Sequence, residues 1–298
     1  MSSIAYATDA EMMEYHRISR SSNMVFWRLS SGKKFSDFHK GDLIFFYTYS
    51  PSLFVKAKGL IGYAHYDSSR TMNLKTVWNS YGTATGYESK ERLTAAIRKA
   101  GKGKIPEKMN CLLLKDIVFF NTLIDPASAG IDIPKNLESY CYIDKQNPGI
   151  TLALLKMAKK IGIDLWAMDP DLDSEAMFEK DIRRHMLASV HAGLPSERRS
   201  RKESAATKKL LREKASQPDW EMIRGSQSEC VNLEDDTIRI ALAFAPTGSG
   251  SLRRTEQLAG RMLMYKQAIP QKVQFEILST QDAGLLRKIA ERLNDGTL

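Results

Sequence analysis

Five aromatic residues stand at positions where a side chain can face a ligand rather than the inside of a sheet. They are Trp27, Tyr47, Tyr49, Trp78 and Tyr81, each at the end of a strand-like run or in the long connection 65–88. An accessible ring can stack on a flat heterocycle, and such stacking contributes roughly 1–3 kcal/mol per base. The alternative is that these rings fill a core, as aromatic residues of β-rich domains commonly do.

Basic residues accompany these rings. Side chains of this type can hold phosphate, which positions a polyanion without reading its sequence. The candidates are Lys33, Lys34, Lys56, Lys58 and Arg70, with Lys208 and Lys209 further along the chain. A rim of solvated lysines is the alternative interpretation.

The charge of the whole chain supports a polyanionic partner. The 298 residues include 44 Lys+Arg and 35 Asp+Glu, a net charge of +9. The excess is +6 in residues 1–150 and +3 in 151–225, whereas residues 226–298 are balanced. A positive field over one portion of a protein favours polyanions, nucleic acid first among them.

Short β-branched, aromatic and aliphatic runs bounded by Gly, Pro, Ser or Asn predict five or six strands in the first half. They are 24–29, 41–49, 59–66, 111–120 and 139–143. One helix interrupts them, with Ser89 as its N-cap and Gly101 at its end. Strands at this spacing with few helices indicate a strongly curved sheet or a small barrel.

The pattern of apolar residues changes after residue 148. Apolar residues recur at helical spacing in 151–162 and again from Ser174 to Gly193. The densely charged stretch 196–216 is a linker, or a helix solvated on most sides, and the simplest domain boundary lies there.

From residue 226 the pattern predicts the order strand, loop, helix, strand, helix. The strand 237–244 alternates, and its small residues Ala241 and Ala243 offer a surface on which a helix can lie closely. The expected fold class is therefore α+β. We predict a β-barrel domain over 1–150, a basic helical connector over 151–225, and a small α/β domain over 226–298.

A series of motifs in residues 24–144 resembles the PUA-like superfamily, which includes the EVE and ASCH domains. The resemblance is closest to the EVE-like module that precedes HNH nuclease domains in bacterial restriction enzymes. The matching elements are Phe26-Trp27, Gly41 to Tyr47, Lys58 to Tyr63, Trp78-x-x-Tyr81-Gly82 with Gly86 and Ser89, Cys111 to Phe120, and Tyr140 to Asp144. They span about 40% of the chain.

The resemblance implies a pseudo-barrel whose pocket accepts a nucleobase, often a modified one, presented by DNA or RNA. Extruding a base from a duplex costs a few kcal/mol, which ring stacking and hydrogen bonds to the base edge must offset. The resemblance also implies a setting in bacterial or phage DNA defence. The leading hypothesis is a reader of a modified or flipped base, with DNA as the expected partner, RNA as the alternative and no cofactor.

The second half lacks the residue sets that nuclease chemistry requires. An HNH site needs clustered histidines, and after residue 150 the sequence has only His185 and His191. A PD-(D/E)xK site needs an acid followed by acid-x-Lys, and no Lys follows Glu234, Asp235 and Asp236 at that spacing. We therefore predict no catalytic residue and no metal site. The alternatives are a modification-dependent nuclease with a divergent C-terminal metal site and a nucleotide-sensing protein.

A Gly/Ser-rich loop lies between the strand 237–244 and the next helix. Backbone N–H groups of Gly248, Ser249, Gly250 and Ser251 could cradle an anion at the helix N-terminus. The loop lacks the Gly-Lys-Ser/Thr ending of a P-loop, and a flexible turn is the alternative. Methionines on the helices 174–190 and 252–269 fit core packing, or else dimerisation or docking of an effector protein.

The cysteines and the start of the chain provide evidence on the cellular compartment of the protein. Cys111, Cys141 and Cys230 form no C-x-x-C pair, which argues against structural zinc and predicts a reducing compartment, by default the cytoplasm. Residues 1–10 lack a basic start and an apolar run, and no stretch approaches the ~20 apolar residues of a membrane span. We expect no membrane partner.

Overall fold

A computed structural model describes residues 3–29, 35, 37–49, 57–134, 136–145, 147–197, 199–233, 237–247 and 250–297. The chain divides into two compact units, Met1–Glu179 and Lys180–Leu298. Both contain helices and a sheet, so the predicted α+β class is confirmed.

Within the described residues, the first unit forms a six-stranded sheet. Its strands are β1 (Ile4–Ala7), β2 (Asn23–Arg28), β3 (Leu43–Tyr49), β4 (Lys58–Met72), β5 (Met109–Ile124) and β6 (Tyr140–Tyr142). The order across the sheet is β2-β5-β4-β3-β1-β6. Neighbouring strands are antiparallel except β1 and β3, which are parallel.

This sheet curls until strands near its two edges touch. β2 and β1 are four places apart in the strand order, which would separate them by roughly 19 Å in a flat sheet. However, the rings of Tyr6 in β1 and Phe26 in β2 meet edge to face with centroids 4.6 Å apart. The predicted strong curvature is thus present. Among the described residues, no hydrogen-bonded ladder joins the two edges into a closed barrel.

Helices cover the sheet of the first unit. They are α1 (Ala10–Ile18), α2 (Leu74–Tyr81), α3 (Lys90–Ala100), α4 (Gly149–Ile161) and the start of α5 (Ser174–Ala192), with 3-10 turns at Gly82–Thr85, Pro126–Ala129 and Leu165–Ala167. The predicted cap of α3 is present, because the Ser89 hydroxyl accepts a hydrogen bond from the backbone N–H of Arg92. The sequence did not predict α1 or α2. These two helices begin at the side-chain caps Asp9 and Asn73.

His16, near the end of α1, is a buried titratable group in the core of the first unit. It has no exposed surface, and neither ring nitrogen has a hydrogen-bond partner among the described residues. Burial lowers the pKa of His16 to about 4. Gly86 lies against it with φ +82°, and a β-carbon there would fall 2.4 Å from Cγ of Met12 and 2.9 Å from Nε2 of His16. Glycine is therefore required at this position both by backbone conformation and by space.

The described part of the second unit contains a four-stranded sheet. Its elements are α6 (Arg201–Ala215), β7 (Trp220–Met222), β8 (Glu229–Leu233), β9 (Thr237–Ala243), α7 (Ser251–Ala268), β10 (Lys272–Leu278) and α8 (Gly284–Asp295), together with the end of α5. The strand order is β10-β9-β8-β7, and only β9 and β10 among these strands are parallel. The predicted order of strand, loop, helix, strand and helix is found in β9, α7, β10 and α8.

Within the charged stretch 196–216, residues Arg201–Ala215 form helix α6, which packs within the second unit. Ser200 and Glu203 make a reciprocal capping box at its start. Leu211 of α6 lies in one apolar cluster with Ala241 and Ala243 of β9, so the small-residue face of that strand does receive a helix. The division between the units falls inside α5, whereas the sequence placed boundaries at 150 and 225. The reason is packing, because α4 contacts β5 of the first sheet and α6 contacts the second sheet.

Replacing His16 by leucine is expected to flatten the pH dependence of stability. The imidazole of His16 binds a proton below pH 6.5 in the unfolded chain but only near pH 4 in the folded chain. Acid therefore favours unfolding. Between pH 7.5 and pH 5 the wild type should lose about 2 kcal/mol more of its free energy of unfolding than His16→Leu does. Urea titrations at the two pH values measure the difference. Met12→Leu alters the packing beside His16 but keeps the histidine, so its stability should depend on pH as that of the wild type does. If His16→Leu shows the same pH dependence as the wild type, His16 is not the group responsible.

Candidate functional site

The predicted aromatic residues fall into two groups along β4. Trp27 lies opposite Cys111, which in turn pairs with Arg70 toward the end of β4. Tyr49 pairs with Lys58 at the start of β4. Twelve residues separate Lys58 from Arg70, an extended length of roughly 40 Å. These rings therefore do not converge on one base-sized slot.

The first group comprises Trp27, Trp78 and Tyr81. All three are half-buried and pack against the core of the first unit. The turn Gly82–Thr85, which continues α2, contacts β2, the strand that carries Trp27. The indole N–H of Trp27 is buried and has no partner in the described part of the chain.

The second group consists of Tyr47 and Tyr49, which share Lys58. Nζ of Lys58 lies 4.5 Å from the ring centroid of Tyr47 and 5.5 Å from that of Tyr49, distances at which a cation is attracted to a ring face. Tyr47 is buried, whereas Tyr49 is 59% exposed. Of this pair, Tyr49 therefore has a ring available to a ligand.

A cavity of about 540 Å³ opens beside Tyr49. Its volume is within the 300–1,000 Å³ that is usual for small-molecule sites. Its lining is apolar at Met13, Ile61, Phe119 and Phe120, and charged at Glu14, Arg17 and Asp164. Arg17 joins the two carboxylates, donating to both oxygens of Glu14 at 2.8 and 2.7 Å and to Asp164 at 3.1 Å.

A second concentration of rings surrounds Arg28 where the curled sheet approaches itself. The guanidinium carbon lies 4.9 Å from the centroid of Phe35, 5.5 Å from Tyr140 and 5.6 Å from Tyr6. Arg28 is only 6% exposed. In the described ranges no carboxylate pairs with it, and its buried Nε has no hydrogen-bond partner. Ring faces thus provide the observed stabilisation of this buried cation.

Two further polar atoms beside these residues are buried without partners. Asn110 is the cross-strand neighbour of Arg28, and Tyr142 stands edge to face against Tyr140 at 5.7 Å. Neither Oδ1 of Asn110 nor the hydroxyl of Tyr142 has a hydrogen-bond partner among the residues described. Because native proteins pair nearly all buried polar groups, these atoms require partners from outside the described residues, which a water molecule or a ligand can provide. We call this set the arginine box: Tyr6, Arg28, Phe35, Asn110, Tyr140 and Tyr142.

Sequence reasoning missed the arginine box although one local signal for it exists. Arg28 follows Trp27 directly and therefore faces the opposite side of β2, the side of Phe26. A basic residue on the same face of a strand as a buried aromatic residue is unusual. Tyr6, Asn110, Tyr140 and Tyr142 come from β1, β5 and β6, and Phe35 lies between β2 and β3 outside any strand. Only the tertiary fold brings them to Arg28.

The predicted phosphate contacts are widely distributed. Lys33, Lys34 and Lys56 lie outside the described residues. Arg70 is exposed near the paired strands β2 and β5. Lys208 and Lys209 are exposed on α6 in the second unit, where Lys209 stands 4.0 Å from Glu213.

The predicted anion loop already has a carboxylate of the same chain beside it. Gly248 and Ser249 are outside the described residues, Gly250 caps α7, and Ser251 is the first residue of that helix. The backbone N–H of Thr247 donates to Oε1 of Glu203 at 3.0 Å. Hydrogen bonds from the backbone of Ser200 and of Thr247 hold the pKa of Glu203 below its usual value.

A buried ion network lies in the second unit. Glu229 has no exposed surface, and its carboxylate lies 2.7 Å from Nη1 of Arg261 and 2.8 Å from Nδ1 of His191. Burial alone would raise the pKa of Glu229, but the hydrogen bond to His191 and the charge of Arg261 lower it to about 2. This carboxylate therefore stabilises the fold above pH 4.5, and the contribution is lost as the pH falls from 4.5 toward 2.

A second carboxylate, Glu197, completes this network. Its oxygens lie 2.8 Å from Arg254, 2.8 Å from Arg261 and 2.9 Å from Arg199. These residues are scattered over more than sixty positions of the sequence, so no sequence motif predicts that they form a network. Each of the three guanidinium groups lies within 3 Å of a carboxylate oxygen, which is the pattern of a structural ion network, although both oxygens of Glu197 and Nη2 of Arg254 make ion pairs without hydrogen-bond geometry.

Within the described ranges, no three His, Cys, Asp or Glu side chains come close enough to hold a metal ion; residues 234–236 lie outside those ranges. Cys111, Cys141 and Cys230 are free thiols. None of the described helices combines the length and the apolar character needed to cross a bilayer.

No protein-family model and no curated protein matches the sequence. The chain is similar to the crystal structures of an ASCH protein from Zymomonas mobilis and of two single-substitution variants of it. The identities are 17, 16 and 15% and the TM-scores 0.36, 0.36 and 0.37. The alignments cover 52–53% of this chain and 94–99% of those chains. The similarity thus extends over about half of the chain.

Replacing Glu229 by glutamine is expected to lower the free energy of unfolding by about 3 kcal/mol, because Arg261 then loses one of its two carboxylates while remaining buried. Urea unfolding at pH 7 followed by circular dichroism measures the loss. Glu213→Gln removes an exposed carboxylate 4.0 Å from Lys209 and should change stability by less than about 0.5 kcal/mol. Equal effects of the two substitutions would refute the structural role of the network.

Proposed function

We propose that the first unit binds nucleic acid and holds a flipped or modified base against the arginine box. One observation carries the proposal: Arg28 is buried among three rings, with no carboxylate partner in the described chain and with an unpaired Nε. A nucleobase offers what the box lacks. It has a flat face for the rings, acceptor atoms for a guanidinium, and amino groups that Asn110 can bind.

The energies involved are of comparable size. Extruding a base costs a few kcal/mol, and less when the base is mismatched or already unpaired. Stacking on an aromatic ring contributes about 1–3 kcal/mol, and a well-placed Arg contact to a base edge contributes a similar amount. One stacked ring and one guanidinium contact therefore suffice to offset the extrusion.

The charge of the first unit supports the same proposal. Residues 1–150 carry a net charge of +6, and Lys33 and Lys34 follow Arg28 by only five and six positions in the sequence. Arg70 is an exposed cation near β2. In this proposal these cations hold the phosphates that flank the bound base, while Trp27, Trp78 and Tyr81 form the outer wall behind β2. The preference for DNA, the pseudo-barrel and a role in DNA defence rest on the sequence resemblance.

Replacing Arg28 by methionine tests the proposal. We expect the affinity for an oligonucleotide with an unpaired or modified base to fall at least about 10-fold, because the contact to the base edge is lost. The thermal midpoint should stay equal or rise, since an unpaired buried charge is removed. Fluorescence anisotropy with matched DNA and RNA strands and duplexes, at several salt concentrations, measures the affinity.

Arg70→Met is the matched control for an exposed cation. It should weaken binding to all nucleic acids alike and reduce the salt dependence by about one phosphate contact. If Arg28→Met lowers the thermal midpoint and leaves binding unchanged, Arg28 is a packing residue and the proposal fails. The absence of binding to any of these nucleic acids at low salt would end it as well.

A further inference from the structure

A second exposed ring, Trp166, lies two positions after Asp164 of the cavity's charged wall; it does not itself line the cavity. Asp164, which accepts from Arg17 in that wall, also accepts from the backbone N–H of Ala167 and so begins the 3-10 turn Leu165–Ala167. This turn presents Trp166 with 54% of its surface exposed. The guanidinium carbon of Arg20 lies 4.8 Å from the centroid of the Trp166 ring. The segments 14–20 and 164–167 thus carry the charged wall of the cavity and, next to it in the chain, the contact between Arg20 and Trp166.

We infer that this cavity, together with Trp166, binds a nucleotide whose base carries an exocyclic amino group, such as cytosine or adenine. Phe119 and Phe120 give the cavity an apolar lining suited to a flat heterocycle. Carboxylates accept hydrogen bonds from exocyclic amino groups, as Asp and Glu do from the N4 of cytosine. The hydrogen bonds from Arg17 hold the pKa of Glu14 below its usual value, so this acceptor is ionised at neutral pH.

The arrangement of charges favours a nucleotide over other cationic or anionic ligands. Glu14 and Asp164 outweigh Arg17 inside the cavity, so the interior selects groups that donate hydrogen bonds. Arg20 at Trp166 and Lys58 at Tyr49 place positive charge outside it. A nucleotide has the complementary pattern, with an amino-bearing base at one end and a phosphate at the other. The basic side chain of a partner protein would satisfy the interior and be repelled by the two outer cations.

Two sources could deliver this ligand, a free nucleotide or an unpaired nucleotide of a bound strand. The site contains no member of the arginine box, so it stands whether or not the proposed function holds. An exposed Trp stacks on a base in either case, and each such stacking interaction is worth about 1–3 kcal/mol, or roughly 5- to 150-fold in affinity.

Isothermal titration calorimetry with CMP, AMP and UMP, and with single-stranded oligo-dC and oligo-dT, tests the inference. We expect CMP and AMP to bind at least about 10-fold more tightly than UMP, which presents a carbonyl where they present an amino group. Trp166→Ala should weaken binding about 5-fold or more, and Trp166→Phe, which keeps a ring, should lose less. Glu14→Gln should bring the CMP and UMP affinities together, which a purely structural effect would not do.

The outcomes separate this inference from the function proposed for the box. CMP binding that persists in Arg28→Met and is weakened by Trp166→Ala belongs to the cavity and not to the arginine box. Binding of CMP as tight as that of oligo-dC identifies a free nucleotide as the ligand, and binding of oligo-dC alone identifies a strand. The inference is overturned if neither probe binds, or if folded Trp166→Ala and Glu14→Gln proteins bind like the wild type. Oligonucleotide binding that depends on Arg28 but not on Trp166 would overturn it while leaving the proposed function intact.

Discussion

The curl of the six-stranded sheet is the constraint on which the candidate sites of the first unit depend. The long strands β4 and β5 shift register between Leu60 and Gly62, and such irregularities bend a strand. A β-carbon at Gly62 would lie 2.2 Å from the carbonyl oxygen of Val118, so only glycine permits this approach of the two backbones. The bend carries β1 toward β2, where Tyr6 meets both Phe26 and Arg28. A flat sheet would leave Arg28 in water and the box would not exist.

The buried guanidinium groups of the two units have different kinds of partner. Arg28, Arg254 and Arg261 are each 6% exposed. The two in the second unit lie 2.7–2.8 Å from carboxylates of Glu197 and Glu229, which is how a protein usually makes a buried charge tolerable. In the described residues Arg28 has rings around it and no carboxylate. Because the same chain elsewhere provides acid partners at equal burial, the lack of one at Arg28 is a specific feature of that site.

The sequence predicted the elements whose signals are local. The strands β2 to β6, the capped helix α3 and the order β9, α7, β10, α8 follow from alternation, helical spacing and cap residues. The strand β1 has only four residues, and β7 only three, which is too short for a periodic signal. α2 buries a single residue, Val77, so its pattern is that of a polar loop.

The candidate site was less predictable than the fold because its geometry is non-local. The sequence indicated rings at strand ends, and Tyr49 does border a cavity. However, Tyr6 and Tyr140 reach Arg28 through strand pairings between residues more than a hundred positions apart. Trp166 lies in a turn with no strand or helix pattern to single it out. Such contacts depend on the register and curvature of the sheet, which composition and periodicity do not specify.

The two candidate ligand sites of the first unit have opposite hydrogen-bonding character. The arginine box presents guanidinium donors, which suit the O6 and N7 acceptors of a base such as guanine. The cavity beside Tyr49 presents the carboxylates of Glu14 and Asp164, which suit the amino group of cytosine or adenine. One base cannot occupy both, because Tyr49 pairs with Lys58 at the start of β4, whereas Asn110, the cross-strand neighbour of Arg28, pairs with Thr71 near its end. If both regions engage one strand, they must therefore take different nucleotides, and selectivity would arise from the order of two bases rather than from the chemistry of one.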